Sequence, residues 1–237
     1  MAARRDVEGR NGLGVPGTAA LLAELDLARR QAPDQSTSTL RRLRRVMSRA
    51  LSDTSREAVL ALAEALVARD GAADRFLGYE LVAAHPASMS KLTLAEVNRL
   101  GRGLSDWVGV DCFACYVTGP AWRTGRLSDA TIERWVRSKD RWWRRAGVVS
   151  TVPLNARARG GTGETTRTLR VAAVALDDRD PMVVKALSWA VRELAKRDPS
   201  AVRAFLAAHG DALAPLVRRE VANKLDTGLK QPRRRST

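Results

Sequence analysis

The sequence predicts an all-α fold, and three observations lead to that prediction. Apolar residues recur at helical spacing along nearly the whole chain, as at Val59, Leu62, Ala63, Leu66 and Val67. No run with the two-residue period of a strand competes with this spacing. Turns that contain glycine or proline divide the chain into about ten to twelve short helices, close to the usual helix length.

Local turn chemistry predicts where these helices begin and end. Asp180 before Pro181, and Asp198 before Pro199, each combine an N-cap side chain with a proline at the first helical position. Other breaks fall at residues 32–34, 70–71, 85–86, 101–103, 118–120, 159–163 and 209–210. Short helices joined by short turns, without a long heptad pattern, favour paired-helix stacking of the HEAT or armadillo type over a four-helix bundle.

We expect a single helical-repeat domain over residues 18–228. A chain of 237 residues with 45% hydrophobic residues can bury a sizeable core as one domain or as a continuous repeat array. Residues 1–17 are rich in glycine and arginine and are expected to form a flexible leader. Residues 229–237 include three consecutive arginines and are expected to form a disordered basic tail.

The charge of the chain predicts a polyanionic partner. Lysine and arginine number 41 against 26 aspartate and glutamate residues, for a net charge of +15 and a pI near 11.2. Part of this charge lies on one amphipathic segment, in which Arg41, Arg42, Arg44 and Arg45 interleave with apolar residues. Such a basic helix face suits solvent and phosphate groups equally.

Cysteine usage and hydropathy predict the cellular compartment. Two cysteines are too few for a disulfide scaffold and fit a reducing environment. No apolar run approaches the roughly 20 residues that span a bilayer. The arginine pair near the start is not followed by the apolar stretch of an export signal. We therefore expect a cytoplasmic, nucleoid-associated protein with no membrane contact.

The predicted helix from Asp180 to Lys196 carries a tryptophan among cations. Its apolar stripe consists of Val183, Leu187, Ala190, Val191 and Leu194. At 100° per residue, Trp189 points almost opposite that stripe, together with Lys185, Arg192 and Lys196. One interpretation is a rim tryptophan covered by a neighbouring helix or a partner protein. The other is a stacking surface for nucleic acid, in which aromatic rings alternate with cations that follow the backbone.

The helix that begins near Ser105 projects an aromatic ring and a carboxylate from one flank. Its buried side is predicted to consist of Val110, Phe113, Ala114 and Val117. Trp107 and Asp111 stand at i and i+4 on that flank and are therefore neighbours on the helix surface. The alternative is a partly buried tryptophan beside an ordinary surface acid.

A third segment directs a guanidinium inward. The helix predicted from Asp140 to Val152 has Trp142, Ala146, Val149 and Val152 on its inward side. Arg145 falls inside that stripe, and a guanidinium directed inward needs a carboxylate or a phosphate. Asp111 is one candidate partner among several acids, and a purely structural ion pair is the alternative.

No motif in the sequence indicates a metal or a cofactor. Cys112 and Cys115 have CxxC spacing, but they lie in a predicted helix, without a second cysteine pair or a histidine cluster. We interpret them as helix-packing residues. Residues 160–163 lack the lysine and the preceding strand of a phosphate-binding loop, so they are interpreted as a linker between helices.

Residues at helix ends complete the set of candidates. Arg157 and Arg159 lie beside the glycine-rich linker, where they are candidates for phosphate contact. His85 and His209 each precede a proline or a glycine and have no evident catalytic partner. We expect both histidines to cap helices.

Three blocks of the chain, in matching order and spacing, resemble a known family. The first, residues 105–111, has the family's W-x-x-x-D pattern, and the second, residues 141–146, has its W-x-x-R-A pattern. The third, residues 186–196, is similar to its A-x-x-W-x-L-R-E-x-A-K run. The family is that of the HEAT-repeat DNA alkylation repair proteins, the AlkD-like alkylpurine DNA glycosylases. The likeness covers roughly residues 69–224.

The resemblance implies both a fold and a reaction. Members form a left-handed or C-shaped superhelix whose basic concave surface grips duplex DNA, and they hydrolyse the N-glycosidic bond of cationic N3- and N7-alkylpurines. By this resemblance Trp107 and Trp189 would pack against the lesion deoxyribose, and Asp111 would stabilise the sugar cation and orient a water molecule. Arg145 would hold Asp111 or a phosphate beside the lesion. Further expected DNA contacts are Arg144, Lys185, Arg192, Lys196, Arg157 and Arg159.

The chain departs from this family near its start. Members carry a tyrosine-containing segment in the early helices, whereas the first aromatic residue here is Phe76. We expect a monomeric glycosylase that uses neither metal nor cofactor and has no obligate protein partner. The alternative is a catalytically inactive HEAT-repeat protein that recognises distorted or branched DNA. A third reading is a helical-repeat scaffold for an acidic protein.

Overall fold

The regular structure of the part of the chain that can be described is helical throughout. The computed structural model describes residues 17–232. Its α-helices are α1 (Thr18–Arg30), α2 (Thr37–Ala50), α3 (Arg56–Ala68), α4 (Ala72–Ala84), α5 (Pro86–Ser90), α6 (Leu94–Leu100), α7 (Trp107–Phe113), α8 (Gly119–Arg123), α9 (Asp129–Val136), α10 (Arg141–Val149), α11 (Val152–Asn155), α12 (Thr165–Val174), α13 (Pro181–Leu194), α14 (Pro199–His209) and α15 (Pro215–Thr227). A π-helical turn (Ala114–Thr118) and a 3-10 turn (Arg157–Arg159) complete them. The all-α prediction is confirmed for these residues.

The helices are shorter and more numerous than predicted, because some predicted helices are interrupted. The helix expected to run to Val152 ends at Val149. Ser150 and Thr151 turn their hydroxyls back onto helix carbonyls, with donor–acceptor distances of 2.7 and 2.8 Å. Pro153 has no N–H to continue the hydrogen-bond ladder, and it becomes the second residue of α11.

The helix starts predicted from turn chemistry are confirmed. The Asp180 carboxylate accepts a hydrogen bond of 2.8 Å from the backbone N–H of Met182. The Asp198 carboxylate accepts one of 3.0 Å from Ala201 N–H. A proline follows each cap. Such caps each stabilise a helix by about 1 kcal/mol, so these boundaries are set by the local sequence.

The two histidines have different environments. His85 caps α5, because its Nδ1 accepts a hydrogen bond of 3.2 Å from Ser88 N–H. His209 is the last residue of α14, and its ring lies 4.8 Å from that of Phe205, centroid to centroid.

The glycine-rich segment joins helices, as predicted. Its Gly160 has a φ of 74°, in the left-handed region that favours glycine.

The helices pack in two layers. In the first layer, α2, α4, α7, α10, α13 and α15 form a row in which each helix contacts the next. Helices α1, α3, α9, α12 and α14 pack against this row as a second layer. The row places the helices with Trp107, Arg145 and Trp189 side by side, although these residues lie far apart in the sequence.

The interior consists of two groups of buried apolar side chains. The larger extends from α3 to α15 and includes the fully buried Tyr79, Phe113 and Trp122. The smaller joins α1 to α4, with Leu25 and Leu62 inaccessible to solvent. The predicted inward side of the helix after Ser105 is confirmed, since all four of its residues are 0% exposed.

The expectations for the two ends fall mostly outside the described residues. Of the predicted leader, only Gly17 is described, and it is the N-cap of α1. Of the predicted tail, residues 229–232 are described and follow the end of α15. Lys230 there lies 3.3 Å from the carboxylate of Glu220. No helix between residues 17 and 232 combines the length and the apolar character needed to cross a membrane.

Candidate functional site

One arginine of α10 connects three helices of the first layer. Arg145 is 5% exposed, and its Nε and Nη2 donate to the two carboxylate oxygens of Asp111, each over 2.8 Å. Its Nη1 donates to the main-chain carbonyl of Met182. The planar guanidinium matches a carboxylate in this two-bond geometry. Arg145 therefore fixes α7 and α13 against α10.

The start of α7 determines where Asp111 and Trp107 lie. The Asp106 carboxylate accepts hydrogen bonds of 2.7 and 2.9 Å from the backbone N–H groups of Val108 and Gly109. This cap makes Trp107 the first residue of α7 and places Asp111 one turn later on the same flank. The Trp107 ring is 55% exposed, an unusual state for the largest apolar side chain. An open ring therefore stands beside a paired carboxylate.

The Asp111 carboxylate is mostly removed from solvent. Its side chain is 15% exposed, and this burial raises its pKa. The hydrogen bonds and the charge of Arg145 oppose that shift. Arg145 thus favours the ionised form of Asp111, and 15% of the side chain remains accessible to solvent.

The sequence left several acidic residues as possible partners of Arg145, and the structure identifies Asp111 as the partner. Arg145 lies inside the apolar stripe of α10, as predicted, with Ala146 and Val149 at 0% exposure beside it. Trp142, expected on the same inward side, is only half-buried, and the Arg141 guanidinium lies 5.7 Å from its ring centroid. The pairing with Asp111 is a finding about structure, and the chemical role of the pair is a separate question.

Trp189 is more covered than its helix alone predicted. It is half-buried and packs against the larger core. The helix α13 contacts α10, α11, α12, α14 and α15, so its buried surface extends well beyond one stripe and includes Val184, Ala186 and Ser188. Of the two interpretations of Trp189, this burial favours the rim tryptophan covered by neighbouring helices. Its ring lies at the edge of the core.

Two of the expected DNA contacts are engaged inside the protein. Arg192 donates from Nε to the Ser188 hydroxyl over 3.1 Å and lies 3.6 Å from the Glu220 carboxylate, and burial lowers its pKa. Arg144 donates to Asp178 over 2.7 Å and to two carbonyls of the preceding loop. Both guanidinium groups hold neighbouring segments together, a structural role that the sequence did not predict, and their contact with DNA stays a prediction.

The other expected cations are accessible. Lys185 and Arg157 are exposed, and neither forms an ion pair within residues 17–232. Lys196 is exposed and lies 2.6 Å from the carboxylate of Glu193, a pair of the kind that solvent screens. Arg159 is half-buried, with its guanidinium carbon 4.7 Å from the centroid of a tyrosine ring.

That tyrosine, Tyr116, is a residue that the sequence reasoning missed. It lies on the π-helical turn that follows α7, and its hydroxyl accepts a hydrogen bond of 3.0 Å from Nη2 of Arg41. Its ring also meets Phe76 edge to face, with the centroids 6.1 Å apart. Arg41, Phe76 and Arg159 lie far from Tyr116 in the sequence, so no local pattern could have joined them.

The cysteines are placed as the sequence predicted. Cys112 lies in the last turn of α7 and is half-buried. Cys115 lies in the π-helical turn and is buried. Both are free thiols. Burial raises their pKa values to about 11 and about 12, which disfavours the reactive thiolate. Within residues 17–232, no group of three or more histidine, cysteine, aspartate or glutamate side chains could hold a metal ion.

Comparison with known proteins adds one finding. A family model described as DNA alkylation repair enzyme matches residues 36–225. The match extends from the N-cap of α2 into α15 and includes Trp107, Asp111, Arg145 and Trp189. Neither the curated proteins nor the solved structures yield a match.

Proposed function

Because the chain belongs to the family of DNA alkylation repair enzymes, we propose that it is a monofunctional DNA glycosylase. Its substrate is duplex DNA that carries a cationic N3- or N7-alkylated purine, held by a HEAT-like superhelix. The observation behind this proposal is the Asp111–Arg145 pair beside the exposed ring of Trp107. A net charge of +15 supports a polyanionic substrate.

The chemistry requires little from the protein beyond electrostatics. An alkylated purine already carries a positive charge, so it leaves as a neutral base and needs no general acid. The charge that remains develops on the deoxyribose. A carboxylate about 3–4 Å from that charge stabilises the transition state substantially. Asp111, on α7 in the first layer, supplies such a carboxylate.

The proposed reaction balances without a cofactor. The bond between C1′ and the purine nitrogen breaks, and its electron pair leaves with the base. A water oxygen forms the new bond to C1′. Its proton passes to Asp111, whose pKa is raised by burial and which therefore accepts a proton more readily than an exposed aspartate. The products are an abasic site and a free alkylpurine.

The other side chains have positioning roles in this proposal. Arg145 holds Asp111 in one orientation by two hydrogen bonds and ties α13 to the same point. The open ring of Trp107 packs against the deoxyribose, where an apolar surface excludes bulk water from the developing cation. Trp189, at the edge of the core on α13, forms the other wall.

Release of 7-methylguanine tests the proposal. We would incubate the purified protein with a duplex that contains one 7-methylguanine and compare Asp111→Asn with Asp211→Asn. Asp211 is fully exposed and therefore serves as a matched control. We expect Asp111→Asn to slow base release by about 10²–10³-fold while duplex binding persists. Release by Asp111→Asn at the wild-type rate would contradict the proposal, provided that thermal unfolding shows a folded variant.

A second function is favoured by the same pair. Both oxygens of Asp111 accept hydrogen bonds from Arg145, as in a purely structural ion pair. In that case the protein is a catalytically inactive HEAT-repeat protein that recognises distorted or branched DNA. Tight, salt-sensitive duplex binding without release of any alkylpurine would support this function. If the protein neither binds duplex DNA nor releases an alkylpurine, the result would support the third function, a scaffold for an acidic protein.

A further inference from the structure

Tyr116 lies between two arginines that reach it from different parts of the chain. Arg41, on α2, donates to its hydroxyl over 3.0 Å, and the guanidinium of Arg159 lies over its ring at 4.7 Å. The π-helical turn that carries Tyr116 directly follows α7, the helix of Asp111. Turns of this kind are frequent at functional sites.

The positive charge around Tyr116 is not neutralised by the described residues. Arg41 and Arg44 share a single carboxylate, that of the buried Glu80, at 3.3 and 3.2 Å. One of these two charges is therefore in excess. Arg159 forms no ion pair with any acidic side chain of residues 17–232 and is half-buried all the same. A half-buried guanidinium without a carboxylate is a site for an external anion.

A cavity of about 240 Å³ opens beside this cluster. Its polar lining includes Tyr116, Arg123 and Arg159, and Met89 and Pro120 form part of its apolar wall. No carboxylate lines it. Arg123 donates to the main-chain carbonyl of Arg159 over 2.8 Å and so fixes the segment that carries the second guanidinium. The cavity thus has cationic donors held in place by the fold.

The cluster is close to the proposed reaction centre. Tyr116, whose ring lies under the guanidinium of Arg159, is five positions after Asp111 along α7 and the π-helical turn that continues it, a rise of about 7 Å along the helix axis. A group bound by Arg159 would therefore lie about one turn further along this helix than Asp111. A DNA strand with its lesion at Asp111 has backbone phosphates within such a distance.

We propose that Tyr116, Arg41, Arg159 and Arg123 form a phosphodiester-binding subsite that holds the DNA backbone beside the lesion. This inference rests on the proposed function and deepens it. Arginine donors match phosphate oxygens in a two-bond geometry, and the tyrosine ring supports the guanidinium plane of Arg159. Phosphate contacts of this kind set the register of a protein on the duplex without reading its sequence.

Salt-dependent binding to a lesion-free duplex measures this subsite separately from catalysis. In Arg159→Gln we expect the slope of log K against log salt to fall in magnitude by about 0.9, the value for one phosphate contact. This change of about 0.9 in the slope corresponds to binding about eightfold weaker than that of wild type at 0.1 M salt. Arg134→Gln is the control, because Arg134 is exposed on α9 in the second layer and loses the same charge. An equal change in both variants would overturn the subsite.

Neutral methylphosphonate linkages, placed one at a time along the duplex, identify the phosphate. At one position the linkage should weaken binding by wild type about eightfold and leave binding by Arg159→Gln unchanged. Additive effects at every position would overturn the subsite. Release of 7-methylguanine by wild type is measured in parallel. Its absence counts against the proposed function, whereas normal release with an unaltered slope in Arg159→Gln counts against the subsite alone.

Discussion

Removal of the Arg145 guanidinium, as in Arg145→Met, tests whether the buried pair determines the stability of the site. Methionine is an unbranched, adaptable apolar side chain that donates no hydrogen bond. The substitution removes two bonds to Asp111 and one to the carbonyl of Met182. It also leaves the Asp111 carboxylate, only 15% exposed, without a counter-charge.

The expected loss is large because the remaining charge is buried. Breaking a buried ion pair by removing one partner costs about 3–5 kcal/mol. For a chain of this length, each kcal/mol lowers the melting temperature by about 2–4 °C, so we expect a decrease of roughly 6–20 °C. The pair of Arg137 and Glu133 is the control, at 3.2 Å with Arg137 59% exposed. Arg137→Met should cost only about 0.3–0.5 kcal/mol.

The loss should also depend on pH. Without Arg145 nothing opposes the effect of burial, so the pKa of Asp111 in the folded protein rises further above its usual value. A carboxyl whose pKa is raised by folding favours the folded state below its unfolded pKa and loses that contribution as pH rises through the folded pKa. The deficit of Arg145→Met relative to wild type should therefore be larger at pH 8 than at pH 5.

Thermal unfolding followed by circular dichroism at both pH values measures these effects. The set comprises wild type, Arg145→Met, Asp111→Asn and the double variant. The double variant leaves no charge unpaired, so its loss should be smaller than the sum of the two single losses. A deficit below about 1 kcal/mol for Arg145→Met, equal at both pH values, would refute the reasoning, because it is the behaviour of an exposed pair.

Four further predictions concern this pair and its surroundings. Trp107→Ala truncates an exposed ring and should slow release of 7-methylguanine with less than about 0.5 kcal/mol lost in stability. Trp189→Ala should slow release and also destabilise, by less than the roughly 3–5 kcal/mol of a fully buried tryptophan, as urea titration would show. Because burial raises the pKa of Asp111, single-turnover release should decline as pH falls through a pKa above the usual 3.8; a profile flat down to that value would contradict this. Cys112 and Cys115, with pKa values near 11 and 12, should react slowly with a disulfide reagent at pH 8 until the protein is unfolded.

Helix boundaries are predictable from the sequence where local chemistry sets them. The cap at Asp180 depends only on the two residues that follow it, and it is where the sequence indicated. The end of α10 was placed too late, because the hydroxyls of Ser150 and Thr151 compete for helix carbonyls that periodicity counts as satisfied. The π-helical turn after Phe113 was not predicted, since the apolar spacing runs on through it.

Part of the site could be predicted from the sequence. The pairing of its residues could not, because the partners lie far apart along the chain. Helical periodicity alone shows that Arg145 points inward, because the direction of a side chain from the axis of its own helix follows from its position in the sequence. Its partner Asp111 lies 34 positions earlier, and periodicity cannot choose it among several acids. The same limit explains Arg144, whose partner Asp178 is also 34 positions away. A projection of one helix assigns Arg144 to solvent, and only the packing of another segment against it shows otherwise.

In the proposed function one chain binds both a polyanion and a sugar cation, and the charges around α7 suit both ligands. In a chain of net charge +15, Asp111 is bound by one guanidinium that is itself fixed to the main-chain carbonyl of Met182. That pairing opposes the effect of burial on the pKa of Asp111 and leaves the side chain 15% exposed, one helical turn from Trp107. Arg159 lies over the Tyr116 ring and forms no ion pair within residues 17–232, so it remains available to a phosphate. In the proposed reaction the carboxylate serves the sugar cation and the guanidinium serves a backbone phosphate, and the two side chains lie on different elements, α7 and the 3-10 turn after α11.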